Sequence, residues 1–135
     1  TLWYMGPSGA GTTMKLVVNT LLGVEMQAIA LGEKAGLEKG RLLDVLEQTA
    51  LIAPAHQTKF ANARREEYPV TFAVRLMHKD FGLIHQEATS LAVPMPARAA
   101  AQQACTAEQA KNTEEDYSAV IRLMEEWAGV TPRPV

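Results

Sequence analysis

This sequence predicts an all-α fold of about six helices, the first of them long. Three observations carry the prediction. Apolar residues recur at helical spacing through most of the chain. Proline and glycine fall between those segments, where they start and stop helices. No alternating β-branched stretch of useful length precedes the glycine-rich segment Gly6–Gly11, although Leu2-Trp3-Tyr4-Met5 reads as the end of a short strand.

The first helix is expected from about Thr12 to about Ala35, stopped near Gly36, with Leu16, Leu21, Val24 and Ile29 among its packing residues. At 1.5 Å per residue it spans about 36 Å, more than a domain of this size normally needs, as suits a spine between two domains. Leu37 to Gln48 forms a second helix with Leu42, Leu43, Val45 and Leu46 as its apolar stripe. Pro54 opens a third, about Ala55 to Arg65, because a first helical position needs no backbone N–H. Arg64-Arg65, answered by Glu66-Glu67, reads as its solvated end. The segment from Glu67 to Thr71 is a loop, since the residue before Pro69 is pushed toward extended geometry. A fourth helix follows from about Phe72 to Leu91, carrying Leu76, Lys79, Leu83 and Ala88. Pro94-Met95-Pro96 breaks it and starts a fifth, about Ala97 to Ala110, whose alanines allow close packing. Lys111-Asn112-Thr113 is a turn, and a last amphipathic helix, about Tyr117 to Trp127, ends at Gly129 before a proline-bearing tail over 130–135.

Composition agrees with one folded domain. The chain has 135 residues, 47% hydrophobic and 21% charged, which allows one real core and excludes disorder by composition. A net charge of −2 gives no electrostatic drive toward nucleic acid or an anionic membrane. No apolar run approaches the roughly 20 residues that span a bilayer, and the start lacks the basic-then-apolar pattern of a signal peptide, so a cytoplasmic location is expected. The single Cys105 has no partner for an internal disulfide and reads as a small buried hydrophobe. His56, His78 and His85 have no metal-ligand spacing, so no metal is expected. His78, beside Lys79, reads as a partly exposed helical histidine.

The stretch Gly9-Ala10-Gly11-Thr12-Thr13-Met14-Lys15-Leu16-Val17-Val18-Asn19 is the most informative. Lys15 and Asn19 are four residues apart and share a helix face, where Lys15 interrupts an apolar surface. Gly6, Gly9 and Gly11 give G-x-x-G-x-G, which is neither the dinucleotide fingerprint nor a P-loop. On residue chemistry alone the stretch also fits a flexible helix entry, capped by Ser8 or Thr12, with Lys15 in solvent.

This segment resembles the G-x-G-x-x-x-K-x-x-x-N motif of the β-hydroxyacid dehydrogenases, which include 3-hydroxyisobutyrate dehydrogenase and tartronate semialdehyde reductase and are related to 6-phosphogluconate dehydrogenase. Lys79-Asp80-Phe81-Gly82-Leu83-Ile84 resembles the family's Lys-Asp-Leu segment, in the right order and about sixty residues on. The resemblance covers nearly the whole chain but only the carboxy-terminal helical half of such an enzyme. It implies a 6-phosphogluconate dehydrogenase-like helical domain over 12–129, with 1–11 as the end of a preceding cofactor domain and the glycine turn. It further implies an NAD- or NADP-dependent oxidoreductase acting on the hydroxyl of a small β-hydroxyacid, assembled as a homodimer or homotetramer.

By the same resemblance Lys15 matches the catalytic lysine, while Asn19, Gly9 and Gly11 fall at substrate-binding positions. Lys79, Phe72 and Asp80 fall near the cofactor. The chemistry agrees for Lys15: a partly desolvated lysine can take the hydroxyl proton as a carbonyl forms and return it in the reverse direction. Asp80 also fits a structural helix carboxylate, and Phe72 also fits the core by its spacing alone. Val18 stands where many relatives carry asparagine. The dinucleotide turn and the Ser-Gly-Gly segment that hold cofactor and substrate carboxylate in the family are not in this sequence, so the isolated chain is expected to be inactive. A helical dimerisation or interaction module that keeps the motif without using it is the rival reading.

Overall fold

The computed structural model describes residues 7, 8 and 10–130, the side chains of 10–13 and 16 excepted. The strand-like Leu2–Met5, Gly9, the side chain of Leu16 and the tail from Thr131 lie outside the described residues. Within them the elements are α1 (Ala10–Lys34), α2 (Lys39–Glu47), a 3-10 turn (Pro54–His56), α3 (Gln57–Arg65), α4 (Val74–Ser90), α5 (Pro96–Ala110) and α6 (Ala119–Ala128). There is no strand among the described residues, only an isolated antiparallel bridge between Ala73 and Asp116. The six helices expected from the periodicity are therefore present, with ends shifted by a few residues.

The 25-residue α1 is the axis of the molecule; α2, α4, α5 and α6 all pack against it. It stops where expected. Gly36 takes φ +98°, and the Leu37 N–H turns back to the Gly32 carbonyl at 3.1 Å, an end that favours glycine because of the positive φ. Its buried line is Asn19, Leu22, Met26 and Ile29, spaced by three, four and three. Ile29 is the expected packing residue found there, whereas Leu21 and Val24 are 58% and 44% exposed on the opposite side. Periodicity alone misplaces them because α1 is apolar on both faces.

Gly23 also lies on the buried side, where a Cβ would come within 2.9 Å of the Ala101 Cβ and 3.1 Å of the Phe81 ring. The missing side chain lets α1 and α5 approach closely, and filling that space is an overpacking change of about 1–3 kcal/mol. The alanines expected to permit close packing do so here, Ala101 and Ala104 being buried. Around this contact lie Phe60, Met77, Phe81, Tyr117 and Ile121, with the Phe81 and Tyr117 rings edge to face at 6.4 Å.

Two boundary shifts have local causes. At α2 the Glu38 carboxylate accepts the Gly40 and Arg41 N–H groups at 2.6 and 2.7 Å, so the helix begins after this cap and not at Leu37. At α4 and α6, Phe72 and Tyr117 stay outside the helices because they pair with each other: the Tyr117 N–H donates to the Phe72 carbonyl at 2.8 Å. Cys105 is buried in the core and its thiol is pushed up to about 12 by burial and by nearby Glu108.

Candidate active site

One end of the α1 core line is polar. Lys15 and Asn19 continue the series of Leu22, Met26 and Ile29 toward the N-terminus, and they reach α4 at Asp80. Asp80 Oδ2 accepts from the Lys15 ammonium at 2.8 Å and from the Asn19 amide at 2.9 Å. Its Oδ1 faces the Lys79 ammonium at 3.3 Å. The side chain of Asp80 is 3% exposed, against 52% for Lys15 and 61% for Lys79. Burial alone would raise the Asp80 carboxyl, but the ammonium groups of Lys15 and Lys79 outweigh it and hold it below the usual carboxylate range.

Asp80 is therefore the buried member of this pair, while Lys15, expected to be partly desolvated, keeps about half of its side chain in solvent. The Phe72 ring flanks it, 5.2 Å from Nζ to the ring centre. Phe72 packs on the core, as its spacing allowed, and its partly buried ring also borders Lys15. It was expected inside the fourth helix and instead precedes α4. Gly11 lies in the first turn of α1 and not in a turn before the helix. Gly9 lies outside the described residues.

The structure thus brings Lys15, Asn19, Lys79, Asp80 and Phe72 together at the junction of α1 and α4. What they form chemically is a buried anion with two accessible ammonium groups and one aromatic face beside it. An apolar groove of about 130 Å³ between α1 and α4, lined by Val17, Ile84, Leu91, Val93 and Met95, includes none of them. No three His, Cys, Asp or Glu side chains converge as a metal site among the described residues. Nor is any described helix long and apolar enough to cross a membrane.

Two clusters escaped the sequence reading. His56 is buried with Nδ1 2.6 Å from Glu25, joining the 3-10 turn to α1. Lys59 and Asp116, 57 residues apart, form a buried ion pair at 2.8 Å. The only signal for Asp116 was its place before Tyr117-Ser118 at a helix start; nothing local to Lys59 set it apart from a surface lysine.

Comparison with known proteins bears on the same region. Residues 9–124 match the family model described as NAD-binding of NADP-dependent 3-hydroxyisobutyrate dehydrogenase. Glyoxylate/succinic semialdehyde reductase 1 of Arabidopsis thaliana is 33% identical over 127 residues, covering 90% of this chain and 44% of the relative. The Cytokine-like nuclear factor N-PAC of Aedes aegypti is 33% identical over 102 residues, 73% of this chain and 18% of that protein. Among solved structures, 3-hydroxyisobutyrate dehydrogenase of Mycobacterium tuberculosis with L-serine superposes with a TM-score of 0.75 at 28% identity, over 90% of this chain and 46% of that one. The chain spans less than half the length of these relatives. With a match that covers most of its length and both lysine motifs, the chain belongs to the β-hydroxyacid dehydrogenase family of NAD(P)-dependent oxidoreductases.

Proposed function

We propose that this chain is the helical catalytic half of an enzyme that interconverts a small β-hydroxyacid and its semialdehyde, with Lys15 as the acid–base group. The observation that carries the reading is the convergence of Lys15, Asn19 and Lys79 on buried Asp80. Oxidation requires that the hydroxyl proton leave to a base while a hydride leaves the carbinol carbon, so that the C–O single bond becomes a carbonyl. The Lys15 amine takes that proton; in reduction its ammonium returns a proton to the carbonyl oxygen. Asp80 fixes where the ammonium sits, and Asn19, bonded to the same oxygen, limits its swing to one side. Gly9 and Gly11 are assigned to substrate binding by the motif they belong to, where residues without side chains leave room for a substrate.

The residues at the corner fit a nicotinamide dinucleotide: an aromatic face for a flat ring and an exposed ammonium for an anion. Phe72 and Lys79, backed by Asp80, would hold its reactive end, and the group when bound supplies or accepts the hydride. The rest of its binding belongs to a dinucleotide domain joined before α1. L-serine, the ligand named with the M. tuberculosis neighbour, is itself a small β-hydroxyacid, which supports a 3-hydroxyisobutyrate- or tartronate-semialdehyde-type substrate. We also assign the exposed side of α1 to pairing with a second copy of the chain, as in a homodimer or homotetramer, and place the protein in the cytoplasm.

A second reading is favoured by one observation. The N-PAC relative carries no dehydrogenase in its name, so family membership is compatible with a non-catalytic helical module. Turnover separates the two. The protein carrying this chain with its dinucleotide domain is expected to reduce NAD or NADP with one of 3-hydroxyisobutyrate, glycerate or serine, while the isolated chain does not. Full-length protein that turns over none of these, nor the corresponding semialdehydes in reverse, overturns the enzyme reading and leaves the module.

A further inference from the structure

Asp116 is fully buried, and its bonds reach the catalytic corner from behind. Its Oδ1 accepts from Lys59 Nζ at 2.8 Å and from the Ser118 N–H and hydroxyl at 3.0 and 2.7 Å. Its Oδ2 accepts from Lys59 Nζ at 2.8 Å, from the Thr71 N–H and hydroxyl at 3.0 and 2.8 Å, and from the Phe72 N–H at 2.8 Å. The carbonyl of Phe72 is held as well, by the Tyr117 N–H. Both polar backbone groups of Phe72 are therefore fixed by Asp116-Tyr117, and its ring stands 5.2 Å from the Lys15 ammonium.

We propose that Asp116, neutralised by Lys59, is a positioning residue for Lys15: it fixes the backbone of Phe72 and so holds the aromatic face against the ammonium. The number of donors explains why a carboxylate is used. Five backbone and hydroxyl donors from the 71–72 segment and Ser118, besides an ammonium, converge on its two oxygens, more acceptor capacity than an amide offers. Burial acts to raise this carboxyl, but the Lys59 ammonium and the Ser118 and Phe72 bonds dominate and keep it ionised far below the usual range. A clasp that merely tied the 68–73 loop to α6 would not need to act on Phe72 in particular. The significance for catalysis rests on Lys15 being the acid–base group; the coupling from Asp116 to Lys15 does not.

The test reads Lys15 directly in this chain. Its side-chain NMR resonance, assigned with Lys15→Arg, is titrated in the wild type, Asp116→Asn, Phe72→Leu and the double variant, with circular dichroism reporting the fold. Phe72→Leu is expected to weaken the ammonium form by about twofold, the scale of an exposed cation–ring contact. Asp116→Asn should shift Lys15 the same way, and the double variant should shift it no further than Phe72→Leu alone. A folded Asp116→Asn with Lys15 titrating as in the wild type overturns the proposal, and so do additive shifts. Should Asp116→Asn fail to fold, Thr71→Val, which removes one donor and leaves the carboxylate in place, decides: a smaller shift in the same direction, abolished in the Phe72→Leu background, supports positioning, and an unmoved Lys15 refutes it. No turnover is measured, so failure here leaves the test of the enzyme reading untouched.

Discussion

Asp80, which is buried, and Glu33, which is half-buried, show opposite fates for a carboxylate drawn out of water. Asp80 meets two ammonium groups and an amide, so its charged form is favoured despite burial. Glu33, near the other end of α1, meets Glu125 instead; burial first, then the hydrogen bond and repulsion from Glu125, raise it to about 7. A carboxyl raised in the folded state contributes stability that is fully present below its unfolded value and is lost as pH rises through the folded one. Glu33→Gln, which resembles the protonated acid, should therefore flatten the fall in urea stability between about pH 5 and pH 8. Parallel pH curves for the wild type and variant would show that Glu33 does not titrate in that window. At this scale, what the sequence made legible is what lies close along it. Lys15 and Asn19 are one helical turn apart, and Lys79 adjoins Asp80. Lys59 and Asp116 were illegible because their meeting requires the whole chain between them to fold first.

The helices themselves were legible to within a few residues, because proline, glycine and apolar spacing act locally. Their ends were less so where a long-range pairing competes, as when Phe72 and Tyr117 bond each other ahead of α4 and α6. The orientation of α1 was not legible at all. Met14, Val17, Leu21, Val24 and Leu31 are 42–72% exposed and spaced by three, four, three and seven, with Ala28 at the intervening step. That is the seam spacing with which a helix pairs against an identical one, opposite a core stripe that is equally apolar. A helix apolar on both faces is normally covered on both, and a self-matching seam about 26 Å long suits a second copy. Sedimentation of the chain should accordingly show a dimer that Leu21→Glu converts to monomer with its helical content unchanged. A monomeric wild-type chain at high concentration would remove the second copy from that face.

For the whole molecule, the fold explains how the candidate site residues meet at one corner. The core stripe of α1 runs out into Lys15 and Asn19, α4 presents Asp80 from a buried position, and the bridge between Ala73 and Asp116 sets Phe72 beside them. Each part depends on packing elsewhere: Gly23 brings α1 onto α5, and the Phe81–Tyr117 contact places α4 against the α6 start. The family was legible from two short motifs in order. The substrate side chain and the choice between NAD and NADP were not, because neither motif carries a residue pattern that distinguishes them. The central claim is that Lys15 moves the proton. Steady-state kinetics of the full-length enzyme with Lys15→Ala test it most directly: kcat is expected to fall by about 10²–10⁴, with the cofactor still bound. A Lys15→Ala enzyme that keeps near wild-type kcat contradicts the assignment.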